Sequence, residues 1–328
     1  MRILGLVASA RKLGNSDLLV REALAEAARE GADTQMIYLN EKKVAACQGC
    51  MACVFRNVPC HLPDDVAWIL EQFRAADGLI VGAPTYVLGP AGPIKLLIDR
   101  FLMIGLELEK WWEKPRYGGV ISVAGLPDWN PFGVPMLNLL LMVYQFQPVG
   151  AVKAARPGPG EVLLDAETLD GARTLGREVV RALAAGVAAA EPALPPVTVE
   201  AFPAVSPGGT STGTGSTSGL YWRPGQERVA WGEHHSLSCP VCGSESFEFE
   251  ERGGHSWLKC PICGSQAQLG ADGQPAFDPQ TLRQNRWSQE AILHHIHHWV
   301  LATKDMYLAN RPRLKPLLAR YRHGGGEG

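Results

Sequence analysis

The sequence lacks an excess of either charge. Lys and Arg number 31 against 33 Asp and Glu, a formal net charge of −2 over 328 residues. Nothing global therefore draws the chain to nucleic acid or to an anionic membrane. It has no apolar run long enough to cross a bilayer without a charge or a proline. The apolar stretch after Met1-Arg2 stops at Arg11-Lys12 with no cleavage-type region behind it, which predicts no signal peptide and, by default, a cytoplasmic location. It also lacks an odd cysteine. All eight fall into two tight groups of four, and in a reducing compartment that pattern predicts metal ligation rather than disulfides.

What is present is a change of texture along the chain, whose length favours two domains. The first part alternates apolar strand-like runs with amphipathic stretches of helical period, the βαβ pattern of a parallel sheet covered on both faces. Strands are expected over Arg2–Ala8, Asp33–Leu39, Gly78–Ala83, Gly118–Val123 and Gly150–Ala154. Helices are expected over Ser16–Glu30, Asp65–Ala75, Pro93–Leu106, Pro131–Gln145 and Ala166–Ala190. Five of each make a flavodoxin-like, doubly wound α/β domain with strand order 2-1-3-4-5, expected over 1–192. Residues 193–219 are rich in Pro, Gly, Ser and Thr and read as a flexible linker. A small four-cysteine module over 220–272 and a helical tail over 284–323 complete the chain.

The turn after the first expected strand, Ala8-Ser9-Ala10-Arg11-Lys12-Leu13-Gly14-Asn15-Ser16, opens the first helix. A helix start offers unpaired N–H groups and partial positive charge; Ser9, Asn15 and Ser16 add donors and Arg11 a fixed cation, which together suit a terminal phosphate. Asn15 and Ser16 as plain helix caps are the competing reading. No Gly-Lys-Ser/Thr closes the loop as in a Walker motif, and no Gly-x-Gly-x-x-Gly of a dinucleotide fold is present. Gly82-Ala83-Pro84-Thr85-Tyr86, with Gly89 beyond, ends the third strand at the switch point of the sheet, where a flat cofactor would lie. Tyr86 is placed to cover a ring face and touch substrate. After the fourth strand, Gly125 permits close backbone approach and Trp129 offers a wall.

Cys47, Cys50, Cys53 and Cys60 lie within fourteen residues. Three successive ligands two residues apart are the manner in which clustered cysteines hold a [4Fe–4S] cube. Zinc is the competing reading, since any four thiolates can bind it tetrahedrally. Asp64 is placed to cap a helix starting at Asp65. The second group differs: Cys239-Pro-Val-Cys242-Gly and Cys260-Pro-Ile-Cys263-Gly are knuckles seventeen residues apart, the spacing of a zinc ribbon. Zn2+ is expected there, with a rubredoxin-like Fe as the alternative. His294, His295, His297 and His298 read as a surface helix face, and the basic C-terminal end as a solvated tail.

The Ser9-x-Arg11 and Gly14-Asn15-Ser16 loop, the Gly82-to-Tyr86 segment followed by Lys95 and Asp99-Arg100, and the cysteine loop followed by Asp64-Asp65, taken in this order, resemble the iron–sulfur flavoprotein and NADPH-dependent FMN reductase superfamily over about residues 1 to 190. The usual Gly-Ser-Pro-Arg is Ala8-Ser9-Ala10-Arg11 here, which relaxes the turn and keeps the donors. The resemblance implies FMN held by Ser9, Arg11, Asn15, Ser16, Pro84, Thr85, Tyr86, Gly89 and Gly125, and a [4Fe–4S] cluster on the first four cysteines. It implies electron transfer from a ferredoxin-like one-electron donor through the cluster to FMN and on to a small-molecule or protein acceptor. It also implies a homodimer or homotetramer in which one subunit's cluster lies near a neighbour's FMN. An NAD(P)H-dependent FMN or quinone reductase with a structural four-cysteine site, and a redox sensor whose ribbon binds a partner or nucleic acid, are the alternative functions.

Overall fold

The computed structural model describes residues 1–126, 129–156, 158–188, 238–271 and 274–301, with single positions beyond, and side chains short of these limits in places. The linker expected over 193–219 and the basic C-terminal end lie outside the described residues.

Six strands form the first sheet: β1 (Arg2–Val7), β2 (Asp33–Tyr38), β3 (Gly78–Tyr86), β4 (Gly89–Pro90), β5 (Tyr117–Ala124) and β6 (Gln147–Ala155). The five long ones run parallel in the order β2-β1-β3-β5-β6, and β4 folds back on β3 as a hairpin. With the hairpin set aside this is the expected 2-1-3-4-5 order. The helices are α1 (Asn15–Arg29), α2 (Ala52–Phe55), α3 (Val66–Ala75), α4 (Gly92–Asp99), α5 (Gly133–Val143) and α6 (Ala166–Ala188).

Alternation along the strands decides which side each residue serves. In β1, Leu4 and Leu6 point into a core shared with Leu79, Ile94 and Leu137, on the side of α3, α4 and α5. Ile3 and Val7 point the other way, to Leu19, Val20, Leu175 and Val179 of α1 and α6. Gly176 lets α6 approach α1: a Cβ there would stand 2.1 Å from the Ala23 carbonyl oxygen.

One expected helix is divided. The run over Pro93–Leu106 ends as an α-helix at Asp99 and continues as 3-10 turns over Phe101–Trp111. The break falls at Arg100, whose side chain turns inward to Asp64.

The C-terminal module is an antiparallel sheet of β7 (Glu248–Arg252), β8 (His255–Lys259), β9 (Gln266–Leu269) and β10 (Pro275–Phe277), in the order β10-β9-β8-β7. β10 carries it past the expected limit at 272, because Phe277 closes its small core with Leu258, Ala267 and Leu282. Two short helices follow, α7 (Pro279–Arg283) and α8 (Gln289–His294), the second widening into a π-helical turn over His295–Val300. His294, His295 and His297 are exposed, as a surface face requires. No helix among the described residues is long and apolar enough to cross a membrane.

Gly176→Ala tests the α1–α6 contact. In an ordinary helix interior the change stabilises by up to about 1 kcal/mol. Here the helices must part, and denaturant melts are expected to show a loss of about 1–3 kcal/mol instead.

Candidate functional site

Parallel pairing brings three loops to one edge of the sheet. Val7 pairs with Gly82 and Pro84 with Val123, so the chain leaves β1, β3 and β5 side by side at their C-terminal ends, where open α/β sheets bind ligands. The first loop is shaped from within. The Arg11 N–H donates to Ser9 Oγ at 3.2 Å, and the Leu13 N–H to Asp17 Oδ2 at 2.7 Å. The second bond holds Leu13 in the left-handed region, at φ 58°. α1 then starts without a side-chain cap, leaving the N–H groups of its first turn as donors. Ser16 is buried, Arg11 is exposed, and neither side chain makes a hydrogen bond or ion pair among the described residues.

Asn15 departs from the expected donor role. Its side-chain amide donates to the carbonyls of Arg156 at 3.1 Å and Gly158 at 2.9 Å, and its Oδ1 accepts from the Val162 N–H. The side chain thus ties the loop after β6 to the start of α1. Neither Asn15 nor Ser16 caps α1 through its side chain, so the competing cap reading does not describe them.

Beyond β3, Thr85 Oγ1 donates to Asn130 Oδ1 at 2.8 Å, and Ser122 Oγ meets the same oxygen at 2.8 Å. This knot joins the ends of β3 and β5. The hairpin from β3 to β4 turns through Val87 and Leu88, at φ 48° and 71°. Asn-Gly usually fills two such positions, so the backbone is strained, and the Phe132 N–H donating to the Leu88 carbonyl helps to hold it. Tyr86, Leu126, Trp129 and Phe132 stand exposed around this edge. A Cβ on Gly125 would meet nothing within 4 Å, so its surroundings are open. These features fit a flavin phosphate group and ring.

The cysteine loop lies between β2 and α3. Gly49, Met51 and Asn57 hold left-handed backbone there, and α2 is its one helical turn. Its base is fastened by the Asp pair: Asp64 Oδ2 accepts from the Ala45 N–H at 2.9 Å, and Asp65 Oδ2 from that of Lys43 at 2.7 Å. Asp64 also accepts from the Val66 N–H, at 3.2 Å, but α3 begins at Val66 with Asp65 in the N-cap position, so Asp64 is not the expected cap residue. Its stronger bond is to Arg100 Nη1, at 2.6 Å. Side-chain exposures of 1% for Arg100 and 2% for Asp64 make this a buried ion pair. Arg100 also donates to the Ala45 carbonyl at 3.0 Å and to Cys60 Sγ at 3.3 Å. Burial alone would raise the Asp64 carboxyl, but Arg100 and the Ala45 and Val66 amides hold it below the ordinary carboxylate range. Burial raises the Cys53 thiol.

Cys47, Cys50, Cys53 and Cys60 line one open concavity, with Cys47 and Cys50 exposed. Their sulfurs do not close on a single point. Among the described residues, only Cys239, Cys242, Cys260 and Cys263 place all four ligand atoms within 4.8 Å of one another. One tetrahedral ion with metal–sulfur bonds of about 2.3 Å requires sulfurs about 3.8 Å apart. The second set lies close to that, slightly tighter, with Sγ–Sγ distances of 3.3 Å for Cys239–Cys263 and 3.4 Å for Cys242–Cys260. The first set does not converge in this way. Each knuckle of the second set turns on a left-handed glycine, Gly243 or Gly264, whose N–H donates to the carbonyl of the first cysteine.

Sequence reasoning missed Asp17, Ser122 and Asn130, which are ordinary polar residues in sequence. It also missed the contact of Arg100 with Cys60, which spans 40 positions and has no local signal.

The family model for NADPH-dependent FMN reductase matches residues 1–128. An iron–sulfur flavoprotein of Methanocaldococcus jannaschii is 32% identical over 190 residues, covering 55% of this chain and 95% of its own. That protein has little length left to match a C-terminal module. Another iron–sulfur flavoprotein, of Archaeoglobus fulgidus, is 30% identical over 185 residues, 56% of this chain and 80% of its own. Among solved structures, a flavone reductase aligns over 100% of this chain and 99% of its own, with a TM-score of 0.66 at 18% identity, a likeness of fold.

Arg100→Met leaves a buried carboxylate without its cation and is expected to cost about 3–5 kcal/mol in chemical denaturation. The depressed Asp64 carboxyl contributes stability that is present above its unfolded value of about 3.9 and is lost as pH falls through its lower folded value. Asp64→Asn is expected to flatten that acid limb of the stability–pH curve.

Proposed function

The chain belongs to the iron–sulfur flavoprotein family and is a flavin-dependent oxidoreductase, and from this premise we propose that it carries electrons from a one-electron, ferredoxin-like donor to a small-molecule or protein acceptor. It would hold a [4Fe–4S] cluster on Cys47, Cys50, Cys53 and Cys60 and FMN at the edge formed by β1, β3 and β5. When bound, these groups supply electron-transfer chemistry, with single-electron exchange at the cluster and two-electron storage at the flavin.

The observation that carries the reading is four cysteines around one concavity whose sulfurs do not all converge within 4.8 Å as those of the second set do. The exposed sides of Cys47 and Cys50 offer the edge where a donor protein docks. Arg100 donates to Cys60 Sγ, and such a bond to a ligand sulfur tunes a cluster's potential. At the other site, the α1 start, Ser16 and Arg11 receive the phosphate. Pro84, Thr85 and Gly89 set the hairpin, Gly125 gives room, and Tyr86 covers the ring and meets substrate. A Zn2+ ion suits the closed Cys239, Cys242, Cys260 and Cys263 set. Tyr86, Val87, Leu126, Trp129 and Phe132 leave an exposed apolar rim beside the crevice, which supports a homodimer or homotetramer with a second copy covering it.

The family model's description favours a second reading, in which NAD(P)H reduces the flavin directly. Anaerobic mixing separates the two. The first expects fast flavin reduction by reduced ferredoxin and slow reduction by NAD(P)H, and the reverse order supports the second.

Anaerobically purified protein is expected to contain four iron and four sulfide at the first cysteine set and one FMN per chain. Iron without sulfide, or zinc at the first set, refutes the cluster. Arg11→Ala removes a charge-assisted hydrogen bond of roughly 1.5–3 kcal/mol. It is expected to weaken FMN about tenfold or more in a fluorescence titration while leaving riboflavin unchanged.

A further inference from the structure

The C-terminal module presents its metal-binding end, and not its open sheet, to the flavodoxin-like domain. Asn138, fully buried in α5, donates from Nδ2 to the Cys242 carbonyl at 2.9 Å. Met142, one turn further along α5, packs with the four cysteines. Lys153 of β6 pairs with Glu245, just past the first knuckle.

From the second knuckle the chain leads to another contact. The Arg286 N–H donates to the Cys263 carbonyl at 2.7 Å, and Trp287 Nε1 donates to that of Ile262 at 3.2 Å. Trp287 packs against both the thiol cluster and the main core. It delivers the last helical segment, whose Ile292 and Ile296 are buried with Ile104, Leu108 and Trp111. At Gly105 a Cβ would stand 3.3 Å from Ile296 Cδ1.

Both elements touched by the module serve a proposed cofactor site. α5 begins beside the strained hairpin, where the Phe132 N–H holds Leu88 and Met136 Sδ lies 3.9 Å from a Cβ built on Gly89. The 3-10 segment Phe101–Trp111 follows Arg100 directly, and its Met103 Sδ accepts from Arg100 Nη2 at 3.2 Å. The module's own apolar core is Leu258, Ala267, Phe277 and Leu282, too few residues to fold unaided. Four buried sulfurs within 4.8 Å of one another hold that arrangement as thiolates only around a cation.

We propose that a single Zn2+ on Cys239, Cys242, Cys260 and Cys263 is a latch that seats the module against α5 and the Phe101–Trp111 segment, so that its occupancy controls the rigidity of the flavin hairpin and of the Arg100 anchor. The consequence for FMN and iron retention rests on the function proposed above; the consequence for rigidity does not. Loss of the ion frees the knuckles. Asn138 then loses its acceptor, Trp287 its carbonyl, and Ile292 and Ile296 their fixed approach.

The test uses the full chain, with Cys260→Ser to remove the ion and Asn138→Ala to cut the knuckle from α5 while the thiols remain. Zinc per chain is measured by elemental analysis, and amide hydrogen exchange is followed in Gly133–Val143 and Phe101–Trp111. Wild type is expected to hold one zinc at this site. Cys260→Ser is expected to lose it and to exchange at least tenfold faster in both segments. Asn138→Ala should keep zinc and exchange faster in α5 alone. Unchanged exchange in zinc-free Cys260→Ser, or a wild-type chain without a metal on these thiols, overturns the latch. Wild-type FMN binding is titrated in parallel, with at least a fivefold weaker affinity expected for Cys260→Ser. Absence of FMN binding in wild type refutes the flavin reading, while the exchange data still decide the latch.

Discussion

The buried pair of Asp64 and Arg100 is the interaction on which the cysteine loop depends. From Lys42 to Leu62 the chain has one turn of α-helix and three left-handed residues, so it cannot hold its shape by backbone pairing. Its shape comes from its base. Asp64 receives bonds from Ala45, Val66 and Arg100, and Arg100 in turn reaches the Ala45 carbonyl and the Cys60 sulfur. Taking both charges out of water is costly. That cost is offset because the carboxylate and both Arg100 terminal nitrogens have partners, and it is spent at the one place where three distant segments must stay in register.

The same guanidinium links the loop to the rest of the molecule. Arg100 ends α4 and begins the 3-10 segment, which carries Ile104, Leu108 and Trp111 into the main core. Arg100 contacts both Met103 of that segment and Cys60 of the loop. The flavin edge is built on the same plan, with Asn15 tying α1 to the loop after β6 and Asn130 tying β5 to β3. In both sites buried polar residues position the backbone, and the groups left for a cofactor are sulfurs, N–H groups and a few exposed side chains.

The fold was readable because local pattern and tertiary role agree. In β1, alternate apolar residues serve two cores, and a short run apolar on both faces suits a covered parallel strand. The knuckles were equally readable, since Cys-Pro-x-Cys-Gly carries its glycine turn with it. Asn15 misled for the same reason: a polar residue at a helix start looks like a donor, and nothing nearby in sequence announces the Arg156 and Gly158 carbonyls that take its amide. The division of the helix at Arg100 was hidden too, because helical periodicity continues through Leu106.

By itself the sequence determined the alternation of strands and helices, the two groups of four cysteines and the loops that follow the strands, because these follow from short-range period and spacing. The spacing already set the two cysteine groups apart, and the tertiary structure added where their sulfurs lie. Ligand count is the same in both, and in space they differ in whether the sulfurs converge within 4.8 Å or line an open concavity. The fold also decided that Arg100 faces Cys60 and that the second knuckle set faces α5. Those contacts join residues 40 and 104 positions apart, a separation at which no local signal survives and only packing brings partners together.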